Sequence, residues 1–233
     1  MKHFGVLVLF FALSSGLQAQ HISLTQFKDS IVPRSGKGDL YDINQSSHRF
    51  VVTAGRDSLR VGKFNTDVDT TMCQLEIKQG LLEGHTIGSA GGYLLRFSGA
   101  ENARPDTIFD RPVRQIVGAH RTVYFSSSVW IPGQRYGHLY ILDTAKSAFQ
   151  AKLVAEFEYP IRQLHAVHDS LYLITGGKLY RFQYGKAVLI CDVPFTCNSM
   201  AGHGRYLYFG MRGAYARLDL KTKQYRYFVY TGE

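Results

Sequence analysis

One short motif occurs twice in the chain. Residues Gly91–Phe97 return as Gly176–Phe182 with five of seven residues identical, and Val113–Ile116 returns as Ile161–Leu164. Similar strand-like segments begin at five places in the chain, at Leu59, Leu94, Leu139, Leu179 and Tyr215. They are 35, 45, 40 and 36 residues apart and indicate five repeats. A repeat of about 40 residues built from short strands is typical of a β-propeller, in which each repeat forms one blade. The sequence therefore predicts an all-β, five-bladed β-propeller of four-stranded antiparallel blades. An open or incomplete propeller and a β-sandwich are the alternatives.

Runs rich in Val, Ile, Leu, Tyr and Phe, separated by turn residues, predict where the strands lie. The predicted innermost strands are Leu40–Gln45, Val113–Ala119, Ile161–Val167 and Asn198–His203, with a less clear one near Leu81. The predicted outermost strands are Met72–Ile77, Asp106–Asp110, Lys152–Glu158, Ala187–Val193 and Gln224–Tyr230. Because the last outermost strand lies near the C-terminal end, we expect no exchange of a terminal strand between the first and last blades. Ile22–Phe27 remains available as an extra edge strand.

The N-terminal residues have the pattern of an export signal. Lys2 precedes an apolar stretch, Phe4–Leu13, and small and polar residues follow it up to Ala19. This order is typical of a secretory signal peptide. The alternative, a membrane anchor, needs about 20 apolar residues. The predicted organisation is a signal peptide at 1–19, a lead-in segment at 20–39 and a propeller domain at 40–233, in a periplasmic or secreted protein.

Charge and cysteine content limit the classes of partner. The formal net charge is +9, and the basic residues are spread along the chain without a Lys/Arg run. Such a diffuse field favours anionic surfaces or glycans, although solubility alone also accounts for it. The three cysteines, Cys73, Cys191 and Cys197, leave at least one thiol unpaired. Buried free thiols are favoured over a bridge between Cys191 and Cys197, and no spacing indicates a zinc site. We predict a monomer with no cofactor, no metal, no nucleic acid partner and no membrane span.

The final repeat, Tyr206–Lys223, resembles a known type of propeller repeat. Its order is an apolar–aromatic–apolar–Gly segment, then a second Gly, then an Arg–apolar–Asp segment that ends in a turn. This resembles the repeats of bacterial periplasmic sensor propellers of the two-component-regulator type. Tyr208 stands where that family has Trp, and Met211 where it has Thr. The resemblance covers about 25 residues well and implies the propeller fold.

An apparent insertion supplies the first candidate binding residues. The segment Ser126–Gly137 is longer than its counterparts in the other repeats and contains Trp130, Arg135 and Tyr136. Trp, Tyr and Arg dominate the binding energy of many interfaces. We therefore predict a projecting loop that binds a ligand. The alternative is a lengthened hairpin in which Trp130 folds back on the neighbouring blade.

Arg114 and Arg162 occupy equivalent positions at the start of two predicted innermost strands, with Asn198 at the corresponding place one repeat later. Two guanidinium groups there would attract a carboxylate, a sulfate or a sugar acid, unless each pairs with a local acceptor. In the predicted innermost strands, Asp42 and Glu83 are the only acids. This favours a non-catalytic propeller that binds a peptide, a protein or an anionic glycan. The alternative is a carbohydrate-active hydrolase or lyase, which would need converging carboxylates.

Overall fold

The computed structural model describes residues 20–30, 43–55, 58–64, 72–99, 104–119, 122–144, 149–167 and 170–232. This part of the chain consists almost entirely of β-strands. The first ten are β1 Gln20–Ile22, β2 Phe27–Ser30, β3 Arg49–Ala54, β4 Leu59–Phe64, β5 Met72–Ile77, β6 Gly80–Ile87, β7 Gly91–Phe97, β8 Asp106–Phe109, β9 Gln115–Ala119 and β10 Thr122–Ile131. The others are β11 Gln134–Asp143, β12 Gln150–Phe157, β13 Ile161–Val167, β14 Ser170–Thr175, β15 Lys178–Gln183, β16 Lys186–Asp192, β17 Ser199–His203, β18 Tyr206–Gly210, β19 Ala214–Asp219 and β20 Gln224–Tyr230. A single 3-10 turn spans Leu24–Gln26.

The strands form antiparallel sheets in which neighbours along the chain pair with each other. The second sheet is β5-β6-β7-β8, the third is β9-β10-β11-β12 and the fourth is β13-β14-β15-β16. The fifth is β17-β18-β19-β20 with β2 added at its outer edge, and the first is β3-β4 with β1 added. The predicted all-β class and the four-stranded antiparallel sheets are confirmed. Among the described residues, no helix is long and apolar enough to cross a bilayer.

Apolar side chains fill the space between successive sheets. One buried cluster lies between the second and third sheets, one between the third and fourth, one between the fourth and fifth, and one between the fifth and first. At one edge of each sheet, β9 contacts β5 and β13, and β17 contacts β13 and β3. Sheets that meet face to face with one edge strand of each brought together form a propeller-like arrangement.

The strands of the later repeats lie close to where the sequence predicts them. Ile161–Val167 and Gln224–Tyr230 form β13 and β20 with the predicted bounds, and the other predicted strands after residue 105 shift by at most two residues. Turn residues mark these boundaries, which explains the agreement.

The first two repeats are predicted in the wrong phase. Met72–Ile77 is not the outermost strand of the first repeat, because it forms β5, the strand of the second sheet that contacts β9. A two-residue turn joins β5 directly to β6, so Leu81, expected in an innermost strand, lies in the second strand of its sheet. Gly80 permits this pairing: its φ is +124°, and a Cβ there would lie 1.9 Å from the carbonyl oxygen of Phe97.

The predicted innermost strand Leu40–Gln45 is also wrong where the structure describes it. Residues 43–45 form one helical turn, and the Ser46 N–H donates a hydrogen bond to the Ile43 carbonyl at 3.1 Å. Residues 40–42 lie outside the described residues. Polar Asn, Gln and Ser side chains compete for backbone hydrogen bonds, which favours a turn over a strand.

The N-terminal segment takes part in two sheets. Gln20–Ile22 pairs with β4 of the first sheet, and Phe27–Ser30 pairs with β20 of the fifth. The Phe27 ring meets those of Phe50 and Tyr215 edge-on at 5.1 and 4.9 Å. The fifth sheet keeps its own outermost strand β20, as predicted, and the N-terminal segment adds one edge strand to the first sheet and one to the fifth. The extra edge strand expected at Ile22–Phe27 lies at Phe27–Ser30. The predicted signal peptide at 1–19 lies outside the described residues.

Candidate functional site

A cavity of about 350 Å³ opens where the third, fourth and fifth sheets meet. It lies at the N-terminal ends of β9 and β13, beside the second half of β10 and just before β17. Its described lining residues are Arg114, Gln115, Ser128, Val129, Pro160, Ile161, Arg162, Gln163 and Asn198. Its volume falls within the usual range for small-molecule sites, and its wall combines apolar side chains with a few polar groups, as such sites do.

Arg114 and Arg162 are the charged residues of the described lining, which contains neither Asp nor Glu. The Arg114 backbone N–H donates a hydrogen bond to the Ser126 carbonyl at 2.9 Å, which fixes this residue beside β10. Among the described residues the Arg114 guanidinium forms no ion pair. The structure thus brings the two predicted arginines to one cavity, whose other described lining residues are uncharged.

Side-chain amides link the inner strands along the cavity wall. Gln115 Nε2 donates to Gln163 Oε1 at 3.3 Å, and Gln163 Nε2 donates to the Asn198 backbone carbonyl at 3.1 Å. Asn198 Nδ2 in turn donates to the Phe50 carbonyl of β3 at 3.3 Å. We call Gln115, Gln163 and Asn198 the amide belt. It connects four of the five sheets and keeps the wall of the cavity polar.

The first half of the predicted loop is buried. Ser126, Ser127 and Ser128 are at most 1% exposed. Ser128 Oγ accepts a hydrogen bond from the Ile161 N–H at 3.0 Å, while the hydroxyls of Ser126 and Ser127 find no partner in the described part of the chain. The Ser128 bond fastens β10 to the first residue of β13, so this strand forms a fixed wall of the cavity.

A close approach on the neighbouring strand holds the same wall in place. A Cβ at Gly137 would lie 2.5 Å from the carbonyl oxygen of Tyr159 and 2.8 Å from the nitrogen of Ile161. Only glycine leaves room for β11 to pass this close to the fourth sheet. The Tyr159 carbonyl also accepts a 2.6 Å hydrogen bond from Thr175 Oγ1.

The predicted loop Ser126–Gly137 is a lengthened hairpin. Pro132 and Gly133 form the turn between β10 and β11, with Gly133 at φ +79°. Because each strand of this hairpin is ten residues long, the insertion extends the third sheet and does not form an irregular projecting loop. The alternative considered from the sequence, a longer hairpin, describes the backbone correctly.

None of the three hairpin residues proposed for binding is among the described residues that line the cavity. The backbones of Trp130 and Arg135 pair across the hairpin, but the Trp130 side chain lies outside what the structure describes. Arg135 is exposed, and Tyr136 stacks on His138 with ring centroids 4.3 Å apart. Adjacent strand residues point to opposite faces, so Arg135 and Tyr136 do not share one face. Their role in binding stays a prediction.

Other titratable groups near the inner strands are neutral or are paired within the fold. Burial lowers the pKa of His165 to about 4, and its Nε2 accepts a hydrogen bond from the Gly202 N–H at 3.2 Å. Glu83 lies on β6, where it accepts hydrogen bonds from Gln74 and contacts His85 at 2.5 Å. Asp42 lies outside the described residues. The cysteines are unbridged, and within the described part of the chain no three His, Cys, Asp or Glu side chains cluster as a metal site would require.

The sequence reasoning missed Gln115 and Gln163. The signal was present, since each glutamine directly follows the arginine in both copies of the repeated segment. Both members of each Arg–Gln pair line the cavity. The repeated Gln therefore indicates a second polar function beside the charge.

No family model and no curated protein matches the chain. Among solved structures, it is similar to the β-propeller domain of Myceliophteria thermophila Cps50 (Swd1), with 12% sequence identity and a TM-score of 0.41. That similarity covers 80% of this chain and 67% of the other.

Proposed function

We propose that this chain is an exported, non-catalytic, five-bladed β-propeller that binds an anionic ligand in the cavity between Arg114 and Arg162. The ligand is the acid group of a peptide, a protein or a glycan. One observation carries the proposal: the charged residues of the described cavity lining are two arginines, with no acid among them.

The sheet arrangement supports the five-bladed assignment. Five sheets follow one another, and hydrogen bonds join the first to the last: the Phe50 N–H donates to the Met211 carbonyl at 2.8 Å, and the Val52 N–H donates to Ser199 Oγ at 2.7 Å. We propose that each sheet is one blade of a monomeric ring, with the N-terminal strands as the clasp. The signal-like N-terminus and the resemblance of the last repeat to periplasmic sensor propellers support export.

The physical basis of anion binding is the arginine pair. A guanidinium presents its donors in a planar fork that matches a carboxylate, sulfate or phosphate group. Arg114 is half-buried, where such charge-assisted bonds are stronger than on the open surface, whereas Arg162 is exposed. The net charge of +9 adds a weak general attraction that salt screens.

The test compares two double variants that remove the same charge from different places. The first variant, Arg114→Gln with Arg162→Gln, removes the two positive charges of the described cavity lining. The second, Lys152→Gln with Lys186→Gln, removes two exposed positive charges from outer strands. Calorimetric titration with an oligogalacturonate, a heparin oligosaccharide and an oligoglutamate peptide measures the affinity of each. We expect at least one probe to bind saturably to the unaltered protein. The arginine double variant should bind that probe about tenfold or more weakly, and the lysine double variant should bind it almost as tightly as the unaltered protein.

Equal weakening by both double variants would contradict the proposal, because only diffuse charge would then act. The melting temperature of each variant is the control for folding. A third variant, Trp130→Ala with Arg135→Ala, tests whether the hairpin tip adds contacts to a larger ligand. If this variant alone abolishes binding, the site is the tip and not the cavity.

A further inference from the structure

The amide belt has a fixed direction. The Asn198 backbone carbonyl can only accept a hydrogen bond, so Gln163 must present its Nε2 to that carbonyl. The Oε1 of Gln163 then faces Gln115, which must present its own Nε2. One backbone carbonyl therefore decides the orientation of both side-chain amides.

This direction leaves one acceptor unused at the cavity wall. Gln115 Oε1 is buried and has no hydrogen-bond partner among the described residues, although Gln115 itself lines the cavity. A buried acceptor without a donor is costly, so a group that donates to it gains affinity. Because the last torsion of a glutamine side chain is soft, a small turn of the amide brings this oxygen to a donor in the cavity.

The unused acceptor stands next to Arg114 in sequence and shares the cavity with Arg162. A carboxylate satisfies the guanidinium groups but offers no donor to an oxygen. A hydroxyl group near the carboxylate supplies that donor. The cavity, at about 350 Å³, accommodates one unit of sugar size.

Building on the anion-binding function proposed above, we propose that the cavity selects a hydroxy acid, meaning a carboxylate with a hydroxyl group close by. Arg114 and Arg162 bind the carboxylate, and the hydroxyl donates to Gln115 Oε1. This chemistry is shared by free hydroxy acids and by the acidic sugars of glycans.

The test uses two acids that differ by a single hydroxyl group. Malate and succinate are titrated against the purified protein, against Gln115→Met, and against Gln224→Met, which alters an exposed glutamine at the start of β20. We expect the protein and the Gln224 variant to bind malate about tenfold more tightly than succinate. In Gln115→Met the two affinities should become equal.

A second probe keeps the test decisive if Gln115→Met does not fold. In 2-methoxysuccinate the hydroxyl is capped, so it can no longer donate, and it should bind the unaltered protein no more tightly than succinate. Galacturonate distinguishes the two sources of a hydroxy acid. Tighter binding of galacturonate than of malate indicates an acidic sugar, and weaker binding indicates a free acid. Both results support selection of a hydroxy acid.

Equal affinity for malate and succinate in the unaltered protein would overturn the inference, as would a preference for malate that persists in Gln115→Met. If both acids bind equally and the arginine double variant abolishes both, the proposed function stands and only the hydroxyl selectivity fails. If no acid binds, both fail.

Discussion

Burial of His165 makes the stability of this fold sensitive to acid. The imidazole lies on β13 and accepts a hydrogen bond from the Gly202 N–H of β17, and burial lowers its pKa from 6.5 to about 4. Only the neutral ring can accept that bond through Nε2. Protonation therefore works against the contact between the fourth and fifth sheets.

The pKa shift sets the size and the sign of the effect. Between pH 6.5 and about pH 4 the unfolded chain binds a proton at this residue and the folded chain does not. The stability it contributes is complete above pH 6.5, falls by about 1.4 kcal/mol per pH unit as the pH decreases, and levels off below pH 4. From pH 7.5 to pH 4.5 the loss amounts to roughly 2 to 3 kcal/mol.

The assay is urea unfolding at a series of pH values for the unaltered protein and for His165→Gln. The glutamine Oε1 can accept the same hydrogen bond but does not titrate. Between pH 7.5 and pH 4.5 the unfolding free energy of His165→Gln should therefore fall by roughly 2 to 3 kcal/mol less than that of the unaltered protein. Other titrating groups cancel in the difference between the two proteins. Ile116→Ala, in a different apolar cluster, is the control: it should lower stability at every pH without changing the slope.

Equal losses of stability on acidification in His165→Gln and in the unaltered protein would show that His165 does not cause the acid sensitivity. A difference of the opposite sign would show that the folded state binds the proton more tightly than the unfolded chain, which contradicts a lowered pKa.

Three further substitutions test the packing. Gly137→Ala should lower the unfolding free energy by about 1–3 kcal/mol, because the new Cβ would meet backbone of the fourth sheet. The control is Gly118→Ala, which should have almost no effect because a Cβ there meets only a methyl group at 3.9 Å. Equal effects of the two substitutions would contradict the close approach at Gly137. Phe27→Ala should lower the unfolding free energy by about 3–5 kcal/mol, because the Phe27 ring is buried. The control is Leu24→Ala, which should cost under about 0.5 kcal/mol because the Leu24 side chain is 45% exposed. A small effect of Phe27→Ala in urea unfolding would show that the N-terminal strand does not hold the first and last sheets together. Ser127→Ala removes a buried hydroxyl without a partner, so stability should stay equal or rise by up to about 1 kcal/mol, and a clear loss in the same assay would reveal a hydrogen bond.

The later repeats could be predicted from the sequence because their turns carry strong signals. Pro160 directly precedes β13 and cannot donate to a sheet, so the strand begins at Ile161. The first repeats have no such marker. The run from Met72 to Ile87 mixes apolar and polar residues without a Pro to mark a strand end, and periodicity alone cannot tell one sheet position from another.

The site shows the same division. Repeat alignment was enough to bring Arg114 and Arg162 together, because equivalent positions of successive sheets come close in space. Side-chain hydrogen bonds such as that from Gln115 to Gln163 depend on distances between sheets, which the sequence does not contain. Residue type alone does not tell on which face of the hairpin Tyr136 lies, so its stacking on His138 could not be predicted.

A crystal structure of the protein with malate would show whether the cavity binds an acid group. We expect malate in the cavity, with its carboxylate oxygens about 3 Å from the guanidinium nitrogens of Arg114 and Arg162 and its hydroxyl turned toward Gln115. Malate bound instead at the hairpin tip beside Arg135, or on the outer strands, would contradict this expectation.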